Sequence, residues 1–123
     1  MEIKVAEHCG FCYGVKRAVA LAQKAATDRV QGATLGPLIH NPQLIAELAS
    51  QGIACKDSLE QFAPGETVIF RSHGVGPETY AQAEKQGLTI LDATCPNVRL
   101  AQQKAAQAAA DGYFPVIVGE KNH

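Results

Sequence analysis

Apolar residues recur along this chain in two spacings, short continuous runs and helical periods, and their alternation predicts its architecture. An apolar run over residues 3–6 reads as a first strand. It feeds the stretch Cys9-Gly10-Phe11-Cys12-Tyr13-Gly14-Val15, from which a helical pattern runs over residues 15–27. There Val15, Ala18, Val19, Ala22, Ala25 and Ala26 share one face, and Gln31-Gly32 ends the pattern. Residues 33–36 form a second, weaker strand signal. Asn41-Pro42 combines an N-cap with proline at the first helical position, so a second helix follows, with Leu44, Ile45 and Leu48 inward and a stop at Gly52. Residues 53–55 read as a third strand, 57–62 as a loop or short helix, and 67–70 as the clearest strand of all. Gly76-Pro77 opens a third helix that ends near Gly87, and residues 88–91 are the next strand. Pro96 opens an alanine-rich helix that runs to Ala110 and stops at Asp111-Gly112, before a last strand over residues 115–118. Strand, loop and helix in repeated succession predict an α/β fold: a mostly parallel sheet flanked by helices.

Composition narrows the class without changing that picture. A chain of 123 residues with 46% apolar and 19% charged side chains suits one globular domain with an ordinary core. Eleven basic against twelve acidic residues leave a net charge of −1, and no Lys/Arg stripe stands out, which disfavours nucleic acid as a partner. No stretch has the apolar length of a membrane span. Met-Glu-Ile-Lys at the start lacks the basic and apolar regions of a signal peptide, so a cytoplasmic, reducing location is expected. In that setting the four cysteines are expected as thiols for metal binding or catalysis rather than as disulfides.

The chemistry-bearing residues cluster by position. In open parallel sheets ligands bind beyond the carboxyl ends of the strands. Cys9 and Cys12 follow the first predicted strand, His40 the second, His73 the strand ending at Phe70, Cys95 the strand ending at Leu91, and His123 the last. Five loops thus present Cys or His at one sheet edge, where helix N-termini also suit an anion such as phosphate. Thiols at a helix start meet unpaired N–H groups and the positive dipole end, an environment that favours thiolate. Glycines 10 and 14 permit a tight turn and close backbone approach to whatever is bound.

Plainer roles exist for each. Cys55, in an apolar strand, reads as a buried small hydrophobe, and His8 as a turn residue. His40 and His73 taken singly either cap loop backbone or bind a ligand. The Cys9/Cys12 spacing occurs both in zinc sites and in thioredoxin-like redox centres. Structural zinc typically needs a second close ligand pair, which is missing, and a dithiol exchange enzyme has no evident use for Cys95 and the loop histidines. Several cysteines converging with histidines suggest an iron–sulfur cluster beside an anionic substrate. A dithiol oxidoreductase and a non-catalytic metal- or phosphate-binding module stand as the alternatives.

Gly10-Phe11-Cys12-Tyr13-Gly14-Val15, His40-Asn41, Ser72-His73-Gly74-Val75 and Asp92-Ala93-Thr94-Cys95-Pro96 resemble, in order and spacing, the motifs of the 4-hydroxy-3-methylbut-2-enyl diphosphate reductase (LytB) family. The resemblance spans the whole chain. It implies a three-lobed α/β iron–sulfur reductase of the non-mevalonate isoprenoid pathway, with a central [4Fe–4S] cluster on three cysteines. The reaction implied removes the substrate's allylic hydroxyl reductively, giving isopentenyl and dimethylallyl diphosphates, with electrons from a donor such as ferredoxin or flavodoxin. Residue by residue, Cys12 and Cys95 resemble two cluster ligands, and His40, His73 and His123 resemble diphosphate-binding histidines; Cys9 has no counterpart. The third cysteine, the proton-relaying acid and the downstream Ser/Thr/Asn diphosphate ligands are expected beyond His123, so no catalytic residue is expected within the chain. On this basis residues 1–112 are expected to be the first lobe and 113–123 the start of the second. Alone, the chain is expected to be inactive and to hold a cluster poorly.

Overall fold

The computed structural model describes residues 1–119, so His123 lies outside the described residues. Four strands, β1 (Gly32–Leu35), β2 (Ala54–Lys56), β3 (Thr67–Phe70) and β4 (Thr89–Asp92), form one sheet in the order β2-β1-β3-β4. Every pairing is parallel. The helices are α1 (Tyr13–Thr27), α2 (Pro42–Ser50), α3 (Pro77–Lys85) and α4 (Pro96–Ala110), with a 3-10 turn at Leu59–Gln61. The expected α/β class, a parallel sheet flanked by helices, is what forms.

The core explains the layering. All four residues of β3 are buried, as a strand covered on both faces must be. Successive side chains point to opposite faces, so Ile69 joins Ala18, Ala22 and Ala25 of α1, Leu44 and Leu48 of α2, and Ile53 on one side. Val68 and Phe70 join Leu59, Phe62, Ala83 and Leu88 on the other. Asn41 caps α2 as its sequence demands, its Oδ1 accepting the Leu44 N–H at 3.0 Å, with Pro42 in the first turn. No helix among the described residues is long and apolar enough to cross a membrane.

Three expectations fail. Residues 3–6 and 115–118 are not strands: Ile3 and Val5 are 75% and 78% exposed, and Val116, Ile117 and Val118 are 76%, 84% and 96% exposed. A strand needs a ladder partner and an apolar face to cover, and among the described residues these two runs have neither. Cys55 is exposed rather than buried. β2 is an edge strand paired only with β1, and Cys55 belongs to neither core cluster. The first helix also starts earlier than its apolar period, at Tyr13, where the Lys16 N–H donates to the Cys12 carbonyl at 2.9 Å.

Candidate functional site

Strand order decides where a ligand can bind. From β1 the chain passes to β2 on one side and then to β3 on the other, so the order reverses between β1 and β3. At such a switch point the two following loops part and leave a crevice at the carboxyl edge. His40 lies on the loop after β1 and His73 on the loop after β3, and their rings stand 5.7 Å apart between centroids, tilted by 46°. His40 is exposed and His73 half-buried. The Arg71–Gly74 turn closes with the Gly74 N–H donating to the Arg71 carbonyl at 3.0 Å, and Gly74 has φ +77°, the left-handed region that glycine enters without strain.

The two motif cysteines meet through a glycine. Cys12 is the N-cap of α1 and Cys95 the N-cap of α4, and neither side chain caps its own helix. A Cβ added to Gly14 would lie 2.6 Å from Cys95 Sγ and 2.8 Å from Cys95 Cβ. The Cys95 thiol therefore rests on the first turn of the helix that Cys12 begins. Cys95 N–H in turn donates to the Ser72 carbonyl at 2.9 Å, which ties it to the segment carrying His73. Cys12, Cys95, His73 and His40, from four separated segments, are thus linked along one open edge. Cys9 and His8 are exposed and line a groove with Glu7, Gly10, Phe11, Cys12 and Lys16. Cys55, on β2, is outside the arrangement.

The helix starts at this edge suit negative ligands. The N-termini of α1 and α4 leave N–H groups unpaired by side chains where the cysteines sit. Ser72 Oγ and Arg71 Nε are buried without a hydrogen-bond partner among the described residues. An unsatisfied buried polar group costs about 1–3 kcal/mol, but both atoms are sealed from solvent and neither faces a ligand directly. As metal donors, two thiols beside an empty Gly14 Cβ position fit part of a soft-metal or iron–sulfur ligand set. Among the described residues no group of three or more His, Cys, Asp or Glu side chains is arranged to hold a metal ion, so these two thiols do not complete a site.

The strongest polar cluster was not foreseen from the sequence. Asp92 Oδ2 accepts the Tyr80 hydroxyl at 2.6 Å and pairs with Arg99, while Oδ1 accepts the Thr94 N–H at 2.8 Å. Burial alone would raise the Asp92 carboxyl, but Thr94, Tyr80 and Arg99 outweigh it and hold the group below the ordinary carboxylate value. Burial, and then the Asp92 hydrogen bond, push the Tyr80 phenol up. The buried Thr94 hydroxyl lies near both groups and makes no hydrogen bond of standard geometry among the described residues. Arg17 Nη1, from α1, donates to the Thr94 carbonyl at 3.2 Å. The readable signal was the Asp-x-Thr spacing, in which an aspartate accepts the N–H two residues on.

Comparison with known proteins gives a consistent set of relatives. The profile of the LytB protein family matches residues 3–123. A curated 4-hydroxy-3-methylbut-2-enyl diphosphate reductase from Aquifex aeolicus is 48% identical over 125 residues, covering 100% of this chain and 43% of that protein. The protein of the same name from Caldanaerobacter subterraneus is 41% identical over 127 residues, covering 100% of this chain and 44% of the relative. The solved structure of (E)-4-hydroxy-3-methyl-but-2-enyl diphosphate reductase, described as the terminal enzyme of the non-mevalonate pathway, superposes with a TM-score of 0.84 at 48% identity, over 98% of this chain and 43% of its own. The structure of the Plasmodium falciparum E-1-hydroxy-2-methyl-but-2-enyl-4-diphosphate reductase gives a TM-score of 0.87 at 28% identity, over 93% of this chain and 36% of its own. The chain thus spans 43% to 44% of the length of these two curated relatives.

Proposed function

The chain belongs to the LytB family, and on that premise we propose that it supplies the diphosphate-binding edge and two cluster thiolates of a 4-hydroxy-3-methylbut-2-enyl diphosphate reductase. The observation that carries this reading is the seating of Cys95 on Gly14, which brings the starts of α1 and α4, and so both motif cysteines, together.

In this reading Cys12 and Cys95 are two ligands of a [4Fe–4S] cluster, with the third thiolate supplied from outside the described residues. When bound, such a cluster supplies single electrons and a Lewis-acidic iron. His40 and His73 donate N–H groups to the diphosphate oxygens, and the helix N-termini add donors at the same edge. Anchoring the diphosphate there fixes the allylic end of the substrate beside the cysteines, so much of the catalytic contribution is orientation. The overall change consumes two electrons and two protons, replaces a C–O bond by a C–H bond, and releases water. The electrons are assigned to a small redox protein of the ferredoxin or flavodoxin type.

Anaerobic reconstitution with iron and sulfide, followed by visible absorption and electron paramagnetic resonance, tests the proposal on the protein that carries this chain. A brown, substrate-responsive centre is expected, with Cys12→Ser and Cys95→Ser losing most of the bound iron and Cys55→Ser retaining it. His40→Ala and His73→Ala should each raise the KM for the diphosphate substrate about 10- to 100-fold, the value of a hydrogen bond to a charged group. A colourless, zinc-loaded protein would instead make this a non-catalytic metal-binding module, and iron retention in both cysteine variants would refute the ligand assignment.

A further inference from the structure

We propose that Asp92 is a positioning residue for Cys95, holding its thiol over Gly14 at the start of α1. The role rests on the cluster-ligand reading of Cys95 for its purpose, but the geometry stands without it. Asp92 ends β4, and its carboxylate is consumed by three donors from three directions: the Thr94 amide in its own turn, the Tyr80 hydroxyl of α3, and the Arg99 guanidinium of α4. The first of these fixes the backbone of the residue before Cys95. From the opposite side Arg17 of α1 holds the Thr94 carbonyl at 3.2 Å. The next peptide is fixed as well, since the Cys95 N–H donates to Ser72 at 2.9 Å. Thr94 itself is only 3% exposed and packs against Gly74, where a Cβ would come within 3.1 Å of Thr94 Cγ2. Cys95 therefore emerges from a turn with little freedom, although its own side chain is half-buried and makes no capping bond.

The side-chain chemistry explains why a carboxylate serves here. Oδ1 and Oδ2 both accept, and a carboxylate is acceptor-only when ionised. An asparagine would keep one accepting oxygen for the Thr94 amide but turn a donor toward Tyr80 and Arg99. An alanine would release all three. The consequence is graded freedom of the turn, read directly as reactivity of the Cys95 thiol in the metal-free protein.

The test is alkylation by iodoacetamide with each cysteine quantified by mass spectrometry, using exposed Cys55 as the internal reference. Asp92→Ala, which releases all three donors, should raise the Cys95 rate at least about tenfold relative to Cys55, the lower value of a single lost hydrogen bond to a charged group. Asp92→Asn should fall between wild type and Asp92→Ala. Should Asp92→Ala fail to fold, Tyr80→Phe decides, because it removes one donor and keeps the edge-on ring packing against Phe70; a selective rise at Cys95 is again expected. An unchanged Cys95 rate in the folded variants overturns the proposal, as does an equal Cys95 rise in Leu59→Ala, a core change on the other side of the sheet, which would mean general loosening. Because no metal is involved, failure here leaves the iron-binding result untouched, and loss of the cluster reading leaves this one intact.

Discussion

Gly14 is the residue on which the two cysteines depend. In most helices replacing glycine by alanine stabilises by about 0.5–1 kcal/mol through backbone entropy. Here the new methyl would meet Cys95 Sγ at 2.6 Å and Cys95 Cβ at 2.8 Å. Overpacking of this kind costs about 1–3 kcal/mol, which outweighs the propensity gain. Gly14→Ala is therefore expected to lower the melting temperature and to reduce iron bound per chain well below wild type; wild-type iron loading would contradict the contact. The motif around Gly14 announced close approach at this glycine, but not what approaches. That partner is Cys95, which lies far along the chain. Asp92 was overlooked for the same reason: its turn signal was local, whereas Tyr80 and Arg99 reach it from other elements.

Among the elements, β3 carries the sheet. It lies between β1 and β4, is buried along its length, and sends alternate residues into both core clusters. Ile69→Ala should cost about 2–5 kcal/mol, the usual range for a buried large-to-small change. By contrast Ile3→Ala and Val116→Ala, at exposed positions, should stay within about 0.5 kcal/mol of wild type. Chemical denaturation of the three variants measures the difference, and similar losses in all of them would mean that the flanking runs pack into the domain. Helices with a cap and a proline start were legible almost to the residue, as at Asn41-Pro42 and at Pro96. Short apolar runs were not, because the same pattern suits a strand only where a neighbour completes it. Residues 67–70 have two neighbouring strands, while residues 3–6 have none among those described.

For the molecule as a whole, Asp92 couples β4 to α3 and α4, so its ionisation bears on global stability. Its folded pKa is lowered, so its contribution is fully present above the unfolded value of about 3.9 and is lost as pH falls through the folded one. The Tyr80 phenol is raised, so its contribution is complete below about 10 and is lost as pH rises through its folded value. Thermal denaturation from pH 5 downward should therefore show a falling melting temperature that is shallower in Asp92→Asn. A slope remains, because Glu66 is lowered too, first by its hydrogen bond from Lys56. Identical acid limbs in wild type and variant would remove Asp92 from the account. At the same scale, α4 buries none of its residues against the described fold, and the apolar runs on either side of the domain are exposed.

The sequence by itself determined the α/β class, the starts of the proline-led helices and the post-strand loops that carry His40, His73 and Cys95. Each of these follows from local physics: apolar period, cap chemistry, and the preference of loops for strand ends. Only the tertiary structure decided how many strands pair, that Cys55 faces solvent, and which loops become neighbours. Those outcomes depend on strand order. The reversal between β1 and β3 sets His40 beside His73, and the packing of α1 against the β4–α4 turn lays Cys95 on Gly14. Contacts between distant segments are settled by the folded packing as a whole, which no local pattern encodes.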